Sequence, residues 1–181
     1  MCELFGISAL NEIDTSPWLQ MFFTHCDKNP HGWGIARFQQ NPSGRAGYGT
    51  LEKEPVKADR SRYLKERLRQ GMRAFTLLAH IRQATIGSLD YNNTHPFQKT
   101  DDSGRCWTLA HNGTVFEEAA LRRYIGLQEG QTDSERILFY LVDRINLEKK
   151  LAPNAASGRQ PGDGLQSSSF THCAGTVQDH R

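Results

Sequence analysis

The amphipathic segment near the end of the chain places the strongest limit on the fold. It begins with residues 132–135, Thr-Asp-Ser-Glu, which have the spacing of a helix capping box. Apolar side chains then recur at three- and four-residue intervals, at Ile137, Leu138, Leu141, Val142 and Ile145. This period predicts a helix with one apolar stripe, which is stable only when something covers the stripe. We expect a β-sheet to cover it.

Segments with the pattern of short strands precede this helix. Strands are predicted at residues 3–10, 34–38, 74–81 and 106–110, and further helices at residues 57–70 and between residues 115 and 124. Gly71 stands where the C-terminal cap of the 57–70 helix belongs. Residues 41–49 and 88–93 are polar and are expected to form loops. The pattern predicts one domain of mixed helices and strands, over residues 2–151.

The composition changes after Leu151. Residues 152–181 are rich in glycine, serine and proline, and their only large apolar side chains are Leu165, Phe170 and Val177. Such a segment buries too little apolar surface to offset the entropy lost on folding. We expect it to be disordered, or to have an origin different from that of the domain.

Composition argues against several classes of function. The 181 residues contain 22 Lys and Arg against 20 Asp and Glu, a net charge of +2, which disfavours binding to nucleic acid or to an anionic membrane. The longest aliphatic or aromatic run, residues 137–142, is too short for a membrane helix, and the start of the chain lacks the features of a signal peptide. We expect a cytoplasmic protein whose cysteines, at positions 2, 26, 106 and 173, are free thiols.

Cys2 is the first candidate for catalysis. Removal of Met1, which is usual when the second residue is small, would place a thiol and a free α-amine on the same residue. An α-amino group has a pKa of about 7.7–8.0, so part of it is unprotonated near neutral pH and can take the thiol proton. The alternative is that a cysteine at position 2 has no chemical role.

Asn112 and Gly113 follow the predicted strand at residues 106–110 and have two interpretations. Asn-Gly is a common sequence of a two-residue hairpin turn. The pair could equally form an oxyanion hole, in which the Asn112 side-chain amide and the Gly113 backbone N–H converge on one oxygen. Glycine would then leave room for the substrate carbonyl.

Three other residues have both a structural and a chemical interpretation. Arg82 follows the 74–81 strand and offers a planar fork for a carboxylate, or it is a solvated surface charge. Asp133 is an acidic residue in the first turn of the last helix, or it receives a substrate ammonium while Thr132 caps the helix. His80, in an apolar strand, is interpreted as a hydrogen-bonded core histidine rather than a general base.

Six segments, taken in order, resemble the class II glutamine amidotransferases, and most of all the short stand-alone bacterial branch. They are residues 1–6 (MCELFG), 30–36 (PHGWGIA), 79–85 (AHIRQAT), 93–97 (NTHPF), 110–113 (AHNG) and 132–135 (TDSE). Each motif alone is weak, whereas the six in register over residues 2–145 are far more specific.

The resemblance implies a fold and a reaction. The fold is the four-layered αββα sandwich of the N-terminal-nucleophile hydrolases, and the reaction is release of ammonia from glutamine through a thioester. Carried over to this sequence, Cys2 is the nucleophile with its own α-amine as base. Asn112 and Gly113 form the oxyanion hole.

The resemblance also assigns the substrate site. Arg82 binds the α-carboxylate of glutamine and Asp133 its α-ammonium, and Thr85, in the same motif as Arg82, belongs to the substrate-binding residues. No metal or cofactor is implied. The expected partners are glutamine or a γ-glutamyl small molecule and a separate synthase that accepts the ammonia.

The sequence departs from the family pattern in three places. His31 stands where the family usually has an aspartate, and Gln83 and Ile86 replace a tryptophan and a histidine of the larger, multidomain members. Residues 152–181 do not resemble the strands and helix that complete the sandwich in stand-alone relatives. We therefore expect a sandwich that is incomplete at its C-terminal end, with unpaired strand edges and partial aggregation of the recombinant protein.

Other functions stay open on sequence alone. A hydrolase of γ-glutamyl amides or peptides would use the same thiol, and its substrates share the amino-acid end of glutamine. An inactive, truncated remnant would keep the same motifs. Zinc binding by the pairs His25-Cys26 and His172-Cys173 fits no common finger spacing.

Overall fold

The computed structural model describes residues 2–38, 49–116 and 118–151. The predicted tail at residues 152–181 and most of the predicted loop at residues 41–49 lie outside these ranges. The strands are β1 (Glu3–Asp14), β2 (Trp33–Phe38), β3 (Gly49–Glu54), β4 (Arg73–Ile81), β5 (Phe97–Thr100) and β6 (Cys106–Leu109). The helices are α1 (Ser16–Phe23), α2 (Arg62–Arg69), α3 (Ala119–Arg122) and α4 (Asp133–Leu151).

The strands form two antiparallel sheets. The first sheet has the order β1-β4-β2-β3, and the second is the pair β5-β6. At one end of the first sheet, Glu3, Ile81, Trp33 and Glu54 lie side by side across the four strands. The residues just beyond this row, such as Cys2, therefore lie at the same end of the sheet.

Helices α1 and α2 cover one face of the first sheet. Alternate residues of β4, including Leu77 and Ile81, pack with Leu19 of α1 and Leu64 of α2 in one buried cluster. Because side chains alternate along a strand, the residues between them, such as His80, face the other side. This cluster is the larger of the two cores in the described part of the chain.

Helix α4 covers the second sheet. Leu138 and Val142 of the predicted apolar stripe pack on Phe97 of β5 and Leu109 of β6, with Ile137 at the margin. The prediction that this helix lies on a sheet is confirmed.

The two sheets pack face to face, and the turn that precedes β5 lies directly against β2 and β4. A Cβ added to Gly34 of β2 would lie 2.0 Å from the carbonyl oxygen of His95, so the backbones approach as only glycine permits. The His80 and His95 rings contact each other, tilted by 32°, with centroids 4.4 Å apart. The order of layers is therefore helices, sheet, sheet, helix, which confirms the predicted αββα arrangement.

Several boundaries differ from the sequence predictions. Strands β3 and β5 and helix α1 were not predicted. The helix predicted at residues 57–70 begins at Arg62, because the Ser61 hydroxyl accepts the Leu64 N–H at 2.9 Å and caps the helix there. The helix expected between residues 115 and 124 shortens to α3.

None of the helices within the described ranges combines the length and the apolar character that crossing a bilayer requires.

Candidate active site

The irregular segment at residues 110–116, which follows β6, connects the residues that the sequence singles out. Asn112 reaches Cys2, Thr114 reaches Thr85, and Val115 reaches Asp133. Among the described residues, no strand follows Asn112 and Gly113 to pair with β6, whose partner is β5. The hairpin interpretation of this Asn-Gly pair is therefore wrong.

Cys2 lies against the end of β4. Its Sγ accepts a hydrogen bond from the Gln83 N–H at 3.2 Å and lies 3.4 Å from the Gln83 carbonyl oxygen, to which the thiol donates. The Asn112 side-chain amide donates to the carbonyl oxygen of Cys2. The structure thus brings Cys2 and Asn112, distant in sequence, into direct contact.

The surroundings of Cys2 favour the neutral thiol. Burial raises the pKa of this thiol, and the Gln83 N–H and the positive charge of Arg82 act in the opposite direction. The raised pKa means that Cys2 needs a base to become a nucleophile. Its two hydrogen-bonding partners on Gln83 are peptide groups, and neither is a base.

Arg82 is a buried cation, only 2% exposed. The alternative that it is a solvated surface charge is therefore wrong. Its two terminal amino groups donate to the carbonyl oxygens of Ser88 at 3.0 Å, Ile86 at 2.8 Å and Gly87 at 3.4 Å. These bonds order the 86–88 loop. They leave the Nε–H and one terminal N–H of Arg82 for another acceptor.

Asp133 is also buried, and it joins α4 to the 110–116 segment. One oxygen of its carboxylate accepts the Val115 N–H. Thr132 caps the helix, since its hydroxyl accepts the Glu135 N–H at 3.3 Å. Glu135 does not complete the capping box, because its carboxylate accepts the N–H groups of Glu129 and Gly130 instead.

Thr85, in the loop that follows β4, is exposed. Its hydroxyl is 3.3 Å from that of Thr114, one residue beyond Gly113. The contact ties the loop after β4 to the 110–116 segment.

Gly113 and His111 pack closely. A Cβ added to Gly113 would lie 2.8 Å from Nε2 of His111, and Nδ1 of that ring is 3.0 Å from the Ser134 hydroxyl. A larger residue at position 113 would therefore have to displace the His111 ring.

His80 is buried as expected but is not hydrogen-bonded as expected. Neither ring nitrogen of His80 or His95 has a hydrogen-bond partner within the described residues, and the His111 backbone lies near His80 without meeting hydrogen-bond geometry. The neighbour of the His80 ring is instead the His95 ring.

Two contacts at the site leave little signal in the sequence. The Gln83 peptide groups hold the Cys2 thiol, and a backbone contact does not depend on the identity of the side chain. His31 is the second case, because its Nδ1 accepts the Ala84 N–H at 2.9 Å. The only sequence signal was the departure at position 31.

Metal-capable groups come together at one place among the described residues, where Cys26, Asp27 and Asp59 offer atoms within 4.8 Å of one another. Lys57 donates to both carboxylates, at 2.6 and 2.8 Å, and offsets part of their negative charge without an ion. Nδ1 of His25 is 2.7 Å from the Glu3 carboxylate. His172 and Cys173 lie outside the described residues.

Comparison with known proteins identifies the family. A family model described as glutamine amidotransferases class-II matches residues 1–162. An uncharacterized protein of Methanocaldococcus jannaschii is 36% identical over 149 residues, which are 80% of this chain and 39% of that protein. YafJ of Escherichia coli, whose name describes it as a glutamine amidotransferase by prediction only, is 32% identical over 148 residues, 80% of this chain and 55% of its own.

The chain spans about half the length of the curated relatives it matches. A solved structure described as a predicted glutamine amidotransferase from Pseudomonas aeruginosa is 22% identical and has a TM-score of 0.32, with 68% of this chain and 44% of that one covered. That superposition is too distant to add to the fold described above. The match of the family model over most of the sequence is sufficient: this chain belongs to the class II glutamine amidotransferases.

Proposed function

We propose that this chain hydrolyses the side-chain amide of glutamine, with Cys2 as the nucleophile and its own α-amine as the base once Met1 is removed. The thiolate attacks the carboxamide carbon, and the tetrahedral oxyanion collapses to a thioester as ammonia leaves. Water then hydrolyses the thioester and returns the thiol. The observation that carries the proposal is the contact between Cys2 and Asn112, which the fold brings together from opposite ends of the domain.

The need for a base supports the role of the α-amine. Burial keeps the Cys2 thiol protonated, and the Gln83 peptide cannot accept its proton. Arg82 is close enough to favour the thiolate but is itself always protonated. An α-amine on the same residue, partly unprotonated near neutral pH, supplies the base without a further side chain.

Asn112 and Gly113 are proposed as the donors to the oxyanion. One N–H of the Asn112 side-chain amide holds the Cys2 carbonyl oxygen, and the second is available to a ligand. The Gly113 N–H lies in the same segment, next to the His111 ring that fixes its position. Donors fixed before the reaction need no reorganisation when charge develops.

The amino-acid end of the substrate is proposed to bind between Arg82, Thr85 and Asp133. The free N–H groups of Arg82 face an α-carboxylate, and the negative charge of Asp133 faces an α-ammonium. Thr85 is the exposed residue of the three. A glutamine or γ-glutamyl compound held in this way would present its amide to Cys2.

A γ-glutamyl amide or peptide is the second candidate substrate, because it shares every contact proposed for the amino-acid end. A separate synthase would accept the ammonia if glutamine is the substrate. We place the catalytic domain at residues 2–151 and its site of action in the cytoplasm, where thiols stay reduced.

Ammonia release from glutamine by three proteins tests the proposal. The wild type should release ammonia, Cys2→Ala should not, and Cys106→Ala should match the wild type because Cys106 is a different, exposed cysteine. Ammonia release by Cys2→Ala at the wild-type rate would refute the mechanism. Release by the wild type from a γ-glutamyl amide but not from glutamine would select the second substrate class.

A further inference from the structure

His31 stands immediately before β2 and is fixed to the end of β4 by its backbone and its side chain. The His31 N–H donates to the Arg82 carbonyl oxygen at 3.0 Å, and the Arg82 N–H donates to the Gly32 carbonyl oxygen at 2.8 Å. The ring then reaches two residues further, where Nδ1 accepts the Ala84 N–H at 2.9 Å. The contacts continue the pairing of β2 with β4 beyond the last residue of the strand.

These contacts enclose Gln83. Its neighbour on one side, Arg82, is fixed by Gly32, and its neighbour on the other side, Ala84, is fixed by the His31 ring. Gln83 is the residue whose N–H and carbonyl groups both contact the Cys2 thiol. The Ala84 N–H and the Gln83 carbonyl belong to one planar peptide group, so rotation of that group would turn the carbonyl away from the sulfur.

We propose that His31 is a positioning residue, whose Nδ1 fixes the peptide group between Gln83 and Ala84 and so holds the Gln83 carbonyl against the Cys2 thiol. The inference rests on the proposed role of Cys2 as nucleophile. His31 acts through Ala84 and Gln83 and takes no proton from the substrate. Its Nδ1 must be free of hydrogen to accept the Ala84 N–H, so the ring carries its proton on Nε2.

The geometry of the side chain explains why histidine can stand at position 31. Nδ1 of histidine is two bonds from Cβ, through Cγ, as is Oδ1 of aspartate or asparagine. The three side chains can therefore place an acceptor at the same distance from the backbone. In this chain the acceptor for the Ala84 N–H is a ring nitrogen, where an aspartate would offer a carboxylate oxygen.

Two variants separate the acceptor atom from the bulk of the ring. His31→Asn keeps an acceptor at the Nδ1 position, and His31→Phe keeps an aromatic ring of similar size but leaves the Ala84 N–H unpaired. Since the half-buried Ala84 N–H loses its acceptor in His31→Phe, we expect this variant to lower kcat for ammonia release about tenfold with little change in KM. We expect His31→Asn to stay within about threefold of the wild type.

Amide hydrogen exchange at Ala84 provides a readout that does not need activity. Exchange at this amide should be at least about tenfold faster in His31→Phe than in the wild type, and close to the wild-type rate in His31→Asn. Equal kcat in His31→Phe and the wild type would overturn the positioning role and leave the function of Cys2 intact. Equal loss in both variants would also overturn it, because the acceptor atom would not be the cause.

Failure of the proposed function gives a different pattern. The wild type would then release no ammonia, while Ala84 exchange would still differ between His31→Phe and His31→Asn. The contact would remain confirmed in that case, but its role in holding a catalytic thiol would be refuted.

Discussion

Lowering the pH from 7 to 5 should destabilise this protein through two buried histidines. His80 is 0% exposed and His95 is 5% exposed. Their rings contact each other between the sheets, and none of their nitrogens has a hydrogen-bond partner among the described residues. Burial, followed by the charges of Arg82 and His111, lowers the pKa of His80 to about 3. Burial, followed by the neighbouring His80, lowers the pKa of His95 well below its usual value.

The sign and size of the effect follow from proton binding. An unfolded histidine has a pKa of about 6.5, so at pH 5 the unfolded state binds a proton that the native state does not. The stability that the neutral rings contribute is complete above about pH 6.5 and is lost as the pH falls below that value. At pH 5 each ring that stays neutral in the native state costs about 2 kcal/mol, and the pair about 4 kcal/mol.

Urea unfolding at pH 7 and pH 5 measures this loss. About 4 kcal/mol is a large share of the roughly 5–15 kcal/mol that stabilises a typical domain, so the midpoint should fall markedly. Carboxylates contribute little in this window, because in the unfolded chain they titrate at about pH 4. A free energy of unfolding that changes by less than about 1 kcal/mol between the two pH values would refute the reasoning.

Two variants assign the loss to these rings. His80→Leu should keep about half of the pH dependence, since one of the two buried imidazoles remains. His25→Gln is the matched control, because it removes a histidine whose side chain is 53% exposed and leaves both buried imidazoles in place.

Three substitutions test other parts of the account. Asn112→Ala should lower kcat for ammonia release about 100-fold with little change in KM, and an unchanged kcat would remove Asn112 from the oxyanion hole. Asp133→Asn keeps an oxygen for the Val115 N–H but loses the charge, so KM for glutamine should rise about tenfold, whereas an unchanged KM would make Asp133 purely structural. Gly34→Ala should lower the free energy of unfolding, measured by urea titration, by about 3 kcal/mol, because its Cβ would lie 2.0 Å from the His95 oxygen. Gly6→Ala is the control and should change stability little, because no atom lies within 4 Å of a Cβ added there.

Local patterns were enough to predict the elements that carry their own signal. The 3.6-residue period and the threonine cap identify α4, and the apolar run before Arg82 identifies β4. Strand β3, Gly-Thr-Leu-Glu-Lys-Glu, has no alternating apolar face and is defined by its pairing with β2. That pairing depends on residues distant in sequence, so no local pattern predicts it.

The site residues fall into the same two groups, those with a local sequence signal and those without one. The motifs identified Cys2, Asn112 and Asp133 as side chains that could share one reaction, and the fold brings them to the 110–116 segment. The Gln83 peptide that contacts the thiol has no residue preference, and sequence reasoning missed it for that reason. The contact between the His80 and His95 rings, whose nitrogens lack hydrogen-bond partners among the described residues, was not predicted. Buried imidazoles usually have polar partners, and such a partner was expected for His80.

Mass analysis of the purified chain after treatment with a glutamine-analogue electrophile tests the central claim most directly. The account predicts a polypeptide that lacks Met1 and carries one adduct, located by peptide mapping on Cys2, with excess glutamine protecting against labelling. A chain that retains Met1, or an adduct on Cys26 or Cys106 in place of Cys2, would contradict it.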